Sequence, residues 1–195
     1  MLHNRINEYK IILASRSPRR QLLLKGLDIP FEIQIKETEE NYPSHLKREQ
    51  IALYLSELKA AAFNNDIDEK SLIITADTIV WINEKVLNKP VNYQDAVEIL
   101  KQLSGNMHEV ITGVCLKTND KQHSFYALTK VFFKHLTDDE IAYYISKYKP
   151  YDKAGAYGAQ EWIGYVAIER IEGSYFNVMG LPTRMLYDEL MRFLE

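Results

Sequence analysis

Serine hydroxyls and arginine guanidinium groups are concentrated in a short polar stretch, ASRSPRR (14–20), between two apolar segments. Ser17 followed by Pro18 is typical of a helix start, with Ser17 as the N-cap. The free backbone N–H groups of a helix start, together with hydroxyls and guanidinium groups, bind anions. We therefore predict an anion site whose natural ligand is phosphate. Its side chains would be Ser15, Ser17, Arg19 and Arg20.

The alternative for this stretch is a capped helix with solvated arginines in its first turn. Positive charge in the first turn of a helix is electrostatically unfavourable. A bound anion would remove that objection, which favours the anion site.

A single carboxylate, Asp77, interrupts the apolar segment SLIITADTIVWI (71–82). The segment is rich in β-branched residues and is predicted to be a central strand. Because a buried carboxylate must be paired, bound to metal or protonated, we predict that Asp77 activates water or holds Mg²⁺. The alternative is a strand that reaches the sheet edge, where Asp77 would be solvated.

Three lysines could add positive charge to such a site: Lys59 on a predicted amphipathic helix, and Lys85 and Lys89 around the turn that follows residues 71–82. Pro90 restricts Lys89 to an extended conformation that can aim its ammonium group. Together with the arginines, these lysines could neutralise a polyphosphate. The alternative is that each is a solvated surface residue.

The stretch DKAGAYGAQ (152–160) combines two glycines with the side-chain amide of Gln160. An amide both donates and accepts hydrogen bonds, as the edge of a nucleobase requires. The alternative is a plain glycine-containing turn. Walker A, dinucleotide-binding and Cys/His metal motifs do not occur in the sequence, so these polar segments favour a pocket for a phosphorylated small molecule.

Alternating strand and helix patterns predict a mixed α/β sheet covered by helices. The predicted strands include 71–82, a hairpin formed by about 109–117 and 124–133, and a strand near 164–171. Helices are predicted after Ser17, around Ile51 to Ala62, before Gly105, after Thr137 and after Pro182.

The composition is that of one soluble globular domain spanning residues 1–195. A net charge of −3 argues against a broad nucleic-acid surface, and the sequence has neither a signal-peptide pattern nor a membrane span. The cytoplasm is the expected compartment. The one cysteine, Cys115, is predicted to be a buried strand thiol.

Five ordered motifs make the chain resemble the Maf family of nucleoside triphosphate pyrophosphatases. They are LASRSPRRQLL, ITADTIVWINEKVLNKP, LSGNMHEVITGV, DKAGAYGAQ and IEGSYFNVMGLP. The resemblance implies an inosine-triphosphate-pyrophosphatase-like (Maf/Ham1) fold, with an elongated, curved mixed sheet, flanking helices and a cleft between two lobes. It also implies hydrolysis of a nucleoside triphosphate to the monophosphate and pyrophosphate, with Mg²⁺ or Mn²⁺ as cofactor, and a homodimer.

The resemblance assigns roles to individual residues. Asp77 corresponds to the proton acceptor, and Asp77 and Glu40 are the implied metal ligands. The implied phosphate-binding residues are Ser15, Ser17, Arg19, Arg20, Lys59 and Lys89.

Arg19, Thr78 and Gln160 form the combination of the subgroup that acts on dTTP and UTP. The alternatives are the 7-methyl-GTP subgroup and a non-catalytic, nucleotide-binding regulator of septum formation. Two positions depart from the usual family pattern: Glu39 precedes Glu40 where aspartate is usual, and Glu161 follows Gln160 where glycine is commoner.

Overall fold

Seven strands form one mixed sheet in the part of the chain that the computed structural model describes, residues 5–64 and 67–195. The strands are β1 (Lys10–Leu13), β2 (Glu32–Ile33), β3 (Ser71–Ile82), β4 (Lys85–Leu87), β5 (Met107–Lys117), β6 (Gln122–Phe133) and β7 (Ile168–Glu172). Their order in the sheet is β2-β1-β3-β5-β6-β7, and β4 pairs with β3. The predicted mixed α/β class is confirmed.

Strand β3 lies in the interior of this sheet, with β1 as its parallel neighbour on one side and β5 on the other. Its register pairs Leu13 of β1 with Ile74. Asp77 is only 9% exposed. A solvated aspartate at a sheet edge is therefore excluded.

The helices in the described residues are α1 (Pro18–Lys25), α2 (Glu49–Ala61), α3 (Tyr93–Leu103), α4 (Asp138–Tyr148), α5 (Trp162–Ala167), α6 (Tyr175–Val178) and α7 (Thr183–Phe193). The Ser17 hydroxyl caps α1 by accepting from the N–H of Arg20, and Pro18 is its first residue, as predicted. Thr137 and Glu140 form the predicted capping box of α4. Local side-chain chemistry thus fixes where both helices begin.

Residues 164–167 correct the sequence prediction of a strand near 164–171: they belong to α5, and only Ile168–Glu172 is extended. The two buried residues of this segment, Ile163 and Ala167, are four apart. That spacing places them on the same face of a helix, so burial follows the helical period although the apolar composition suits a strand.

The chain divides into two compact units. The first comprises the described residues of Met1–Asp77 with Thr112–Ala127 and Gly180–Glu195. It contains β1, β2, α1, α2 and α7, and it buries Cys115, as predicted. Burial raises the pKa of the Cys115 thiol to about 11, so this thiol stays protonated at neutral pH.

The second unit comprises Thr78–Ile111 and Leu128–Met179. A buried cluster forms its core, including Val80, Leu100, Val131, Tyr144 and Ile163. That residues 1–195 form one domain stays a prediction from the sequence. No helix in the described ranges is long and apolar enough to cross a membrane.

Candidate functional site

The predicted anion stretch and Asp77 lie close to each other in the first unit, where β1 ends beside its parallel neighbour β3. Because Leu13 pairs with Ile74, Ser15 and Ser17 follow the carboxyl end of β1, and Asp77 follows the matching position of β3. The region beyond the carboxyl ends of parallel strands is where open α/β sheets bind ligands. The topology therefore brings two of the predicted polar segments together beyond the carboxyl end of β1.

Side-chain and backbone hydrogen bonds order the turn between β1 and α1. The buried Ser15 hydroxyl accepts from the N–H of Ser17 at 3.2 Å and from Nη1 of Arg20 at 3.5 Å. Nε of Arg20 donates to the carbonyl of Gly180 at 2.8 Å. The turn is thus preorganised, with the guanidinium of Arg20 fixed at both its Nε and Nη1 atoms.

Burial lowers the pKa of Arg20, and the neighbouring Arg19 acts in the same direction, whereas attraction to Asp77 and Glu40 opposes the shift. An arginine nevertheless stays charged at any physiological pH. The half-buried Arg19 and Arg20 therefore concentrate positive charge at the start of α1, where an anion would also meet the helix dipole.

Lys59 on α2 pairs with two carboxylates in the first unit. Its ammonium lies 2.5 Å from Oδ1 of Asp77 and 2.8 Å from Oε1 of Glu40. The side chains of Lys59 and Asp77 are 17% and 12% exposed, whereas that of Glu40 is 48% exposed. The partner that a buried Asp77 requires is therefore Lys59, and Glu40 belongs to the same ionic cluster.

The packing of α2 against β3 and β5 sets the position of Lys59. The hydroxyl of Thr75 on β3 donates to the carbonyl of Ser56 on α2 at 2.6 Å. Gly113 of β5 meets α2 where a Cβ atom would lie 2.3 Å from the carbonyl oxygen of Ala52. Only glycine permits this approach between the strand and the helix.

The donor set of Asp77 and Glu40 fits Mg²⁺. Magnesium is usually held by one or two carboxylates, with water and substrate phosphates as its other ligands. Both carboxylates bind the same ammonium, so they lie close enough to share a cation. Within residues 5–64 and 67–195, no group of three or more His, Cys, Asp or Glu side chains is arranged to hold a metal by itself.

Other predicted residues fall in the second unit. Thr78 follows Asp77 on β3, and strand alternation directs their side chains to opposite faces of the sheet. Lys89 is exposed in the segment after β4, next to Asn88, whose carbonyl accepts from the N–H of Gly155 at 3.3 Å. The structure thus places Lys89 beside the glycine-bearing stretch 152–160.

Gln160 lies in a turn whose Glu161 N–H donates to the carbonyl of Gly158 at 3.0 Å. The carboxylate of Glu161 accepts from the buried Tyr144 hydroxyl and pairs with the buried Lys153. No motif in the sequence singles out Tyr144 or Lys153. Glu161 stands out in the sequence only as a departure from the usual family pattern.

A family model described as Maf-like protein matches residues 10–193 of the chain. The chain belongs to the Maf family. The predicted resemblance is therefore confirmed, and the five motifs that carried it all fall within the matched residues.

Several Maf relatives are about half identical to the chain over nearly its whole length. A protein of Flavobacterium johnsoniae named dTTP/UTP pyrophosphatase is 53% identical over 190 residues, covering 97% of this chain and 98% of its own. A protein of Phocaeicola vulgatus with the same name is 55% identical over 193 residues, covering 98% and 100%.

The solved structures that are similar to this Maf chain are more distant. The Ham1 protein of Staphylococcus aureus matches with a TM-score of 0.44 and 15% identity, covering 64% of this chain and 71% of its own. A nucleoside-triphosphatase/dITP/XTP pyrophosphatase of Mycobacterium abscessus matches with a TM-score of 0.38 and 14% identity, covering 66% and 76%.

Proposed function

We propose that this Maf chain is an enzyme that hydrolyses dTTP and UTP to the monophosphate and pyrophosphate. The observation that carries the proposal is the buried carboxylate of Asp77, held by Lys59 in the same unit as the preorganised turn at the start of α1. Relatives that are about half identical over nearly their full length bear the name dTTP/UTP pyrophosphatase, which supports the choice of substrate.

In the proposed reaction, a water oxygen attacks the α-phosphorus and the bond between that phosphorus and the oxygen bridging to the β-phosphorus breaks. Pyrophosphate leaves, and the carboxylate of Asp77 takes a proton from the attacking water. Lys59 holds Asp77 through Oδ1, so the carboxylate is oriented before substrate arrives. A base fixed in position contributes more than one that must be ordered during the reaction.

Positive charge would stabilise the negative charge that develops on the departing pyrophosphate. The residues that we propose as phosphate ligands are Ser15, Ser17, Arg19, Arg20, Lys59 and Lys89. When bound, Mg²⁺ would supply further charge neutralisation and lower the pKa of water. We propose Asp77 and Glu40 as the residues that hold it, with Mn²⁺ as a substitute ion.

For selectivity we propose Arg19, Thr78 and Gln160, the combination that the family resemblance associates with dTTP and UTP. A site that hydrogen-bonds one base leaves its buried polar groups unpaired when the wrong base binds, which is how such a site discriminates. We further propose that the protein acts in the cytoplasm as a homodimer. A link to septum formation remains an expectation from the family.

The test is a panel of canonical and methylated nucleoside triphosphates incubated with Mg²⁺ and assayed for pyrophosphate release. We expect dTTP and UTP to be the best substrates, with one pyrophosphate formed per nucleotide. Hydrolysis of 7-methyl-GTP without action on dTTP or UTP would contradict the proposed substrates. Nucleotide binding without any pyrophosphate release would contradict catalysis. It would favour the alternative of a non-catalytic, nucleotide-binding regulator.

A further inference from the structure

Strand β3 and helix α2 of the first unit are joined by two polar contacts that lie side by side. The Thr75 hydroxyl donates to the carbonyl of Ser56 at 2.6 Å, and Nζ of Lys59 lies 2.5 Å from Oδ1 of Asp77. Thr75 and Asp77 are two apart on the strand, so their side chains lie on the same face of the sheet. Ser56 and Lys59 are three apart on the helix, which makes them neighbours on its surface.

The contact between Thr75 and Ser56 is completely buried, and both residues are 0% exposed. Burying a hydroxyl is unfavourable unless it makes a hydrogen bond. Valine, also β-branched, would fill the same space in this apolar strand without a polar group. Packing of the core therefore does not by itself require a hydroxyl here, whereas the contact with α2 does.

This hydrogen bond restrains α2 in a direction that its other close contact does not. Ala52, Ser56 and Lys59 lie four and three residues apart, on one face of the helix. The approach of Gly113 to Ala52 sets how near the helix lies to the sheet. A hydrogen bond depends on both distance and angle, so the bond from Thr75 also fixes the helix along its axis. Lys59 lies one turn further along the same helix, and its position follows.

A displacement of α2 would act mainly on the contact between Lys59 and Asp77. The ammonium also lies 2.8 Å from Oε1 of Glu40. Glu40 belongs to a loop and its side chain is 48% exposed, so this carboxylate can follow a moving ammonium. Asp77 cannot follow, because β3 is held inside the sheet and the side chain is only 12% exposed.

We propose that Thr75 is a positioning residue for the proposed proton acceptor: its hydroxyl holds α2 where the ammonium of Lys59 orients the carboxylate of Asp77. The inference rests on the proposed pyrophosphatase function. Thr75 has no contact with substrate in this role and acts through the backbone of α2 and the side chain of Lys59.

The test compares kcat and KM for dTTP in the wild-type protein, Thr75→Val and Thr75→Ser. Valine keeps the shape of the side chain but cannot donate, so we expect kcat to fall by about 10-fold as the base loses its fixed orientation. KM should change by less than about 3-fold, because Lys59 is the one proposed phosphate ligand on α2. Thr75→Ser keeps the hydroxyl and should keep kcat within about 2-fold of the wild-type value.

The same substitution in an Asp77→Asn background separates positioning from a merely structural role. If the hydroxyl acts through Asp77, Thr75→Val should change the residual kcat of Asp77→Asn by less than about 2-fold. A merely structural role would lower kcat by the same factor in both backgrounds.

The matched control is Thr118→Val in the same unit. Thr118 is 6% exposed, and its hydroxyl donates to the carbonyl of Lys121 at 3.4 Å in the turn between β5 and β6. The control thus removes a buried hydroxyl with the same kind of partner and should keep the wild-type kcat and KM. Thr75→Ala places no methyl group against the carbonyl of Ser56, which keeps the test decisive if thermal denaturation shows that Thr75→Val does not fold.

Three results would overturn the inference while leaving the proposed function intact. They are an unchanged kcat in folded Thr75→Val or Thr75→Ala, equal losses in the wild-type and Asp77→Asn backgrounds, and a loss in Thr75→Ser as large as that in Thr75→Val. Failure of the wild-type protein to release pyrophosphate from either dTTP or UTP would instead contradict the proposed function, and the inference would fall with it.

Discussion

At the scale of single residues, Asp77 combines burial and a fixed orientation with the proposed role of proton acceptor. We expect Asp77→Asn to lower kcat by about 100-fold or more, because the amide cannot take a proton from water. Affinity for dTTP should change little, since none of the proposed phosphate ligands is replaced and the amide oxygen of asparagine can still accept from Lys59. Pyrophosphate release and calorimetric titration with dTTP measure the two quantities separately.

A suitable control for Asp77→Asn is Asp120→Asn, which removes an exposed carboxylate in the turn between β5 and β6. Normal turnover in Asp77→Asn would refute its role as the base. Loss of dTTP binding together with turnover would show that Asp77 mainly organises the site through Lys59.

Glu40 offers a second test at this scale. Its neighbour Glu39 has the same charge and is also exposed, so it serves as a control. Only Glu40 shares the ammonium of Lys59 with Asp77. We expect Glu40→Gln to raise the Mg²⁺ concentration for half-maximal activity by several-fold, whereas Glu39→Gln should behave like the wild-type protein. Equal effects of the two substitutions in a magnesium titration would argue against Glu40 as a metal ligand.

At the scale of elements, the sequence predicts best where local chemistry decides the structure. Ser17 and Pro18 define the start of α1, and Thr137 with Glu140 defines that of α4. The apolar run 71–82 corresponds to β3 as observed. Hydroxyl caps, proline and β-branched runs act over a few residues, so their outcome can be inferred without tertiary contacts.

Features that depend on tertiary packing could not be predicted in the same way. The helix α5 replaces a predicted strand because Ile163 and Ala167 are buried on one face. The pairing of Lys59 with Asp77 joins residues 18 apart in sequence, and that of Tyr144 with Glu161 joins residues 17 apart. The residue types suggested charge at the site, but only the packed elements show which charges meet.

The close contact between β5 and α2 is such a feature, and it can be tested with Gly113→Ala. The added Cβ would lie 2.3 Å from the carbonyl oxygen of Ala52, and neither backbone can move without shifting a whole element. We expect a loss of about 2 kcal/mol or more in the free energy of unfolding, or roughly 4 to 8 °C in Tm. Thermal denaturation measures the change.

Gly26→Ala is the matched control for Gly113→Ala. A Cβ at Gly26 would meet its nearest backbone oxygen at 3.4 Å, and the residue has φ −66° at the end of α1. Alanine therefore fits there, and Tm should change by no more than about 2 °C. Equal stability of the two variants would show that β5 and α2 can separate at little cost.

At the scale of the whole molecule, a buried histidine links folding stability to pH. His108 is 1% exposed, its Nε2 lies 2.7 Å from the Tyr157 hydroxyl, and its ring packs edge-on against Phe133. Burial lowers the pKa of His108 from 6.5 to about 3. The imidazole is therefore neutral in the folded protein over a pH range in which it is protonated in the unfolded chain.

The direction of the effect follows from proton binding. Between pH 6.5 and 3 the unfolded chain binds a proton at His108 that the folded protein does not, so acid favours unfolding. We expect this residue to contribute stability that is complete above about pH 6.5 and is lost as the pH falls toward 3, with a slope of up to about 1.4 kcal/mol per pH unit. Below pH 3 this contribution should stop changing.

Urea denaturation at a series of pH values, in the wild-type protein and in His108→Gln, measures this slope. Glutamine can still hydrogen-bond to Tyr157 but does not titrate, so the variant should lose the part of the acid sensitivity that His108 causes. The lost hydrogen-bond geometry should lower its stability at neutral pH, which is why the slopes are compared and not the absolute values. His45→Gln, which removes an exposed imidazole, should keep the wild-type slope. An identical slope in the wild-type protein and His108→Gln would mean that other groups cause the acid sensitivity of the fold.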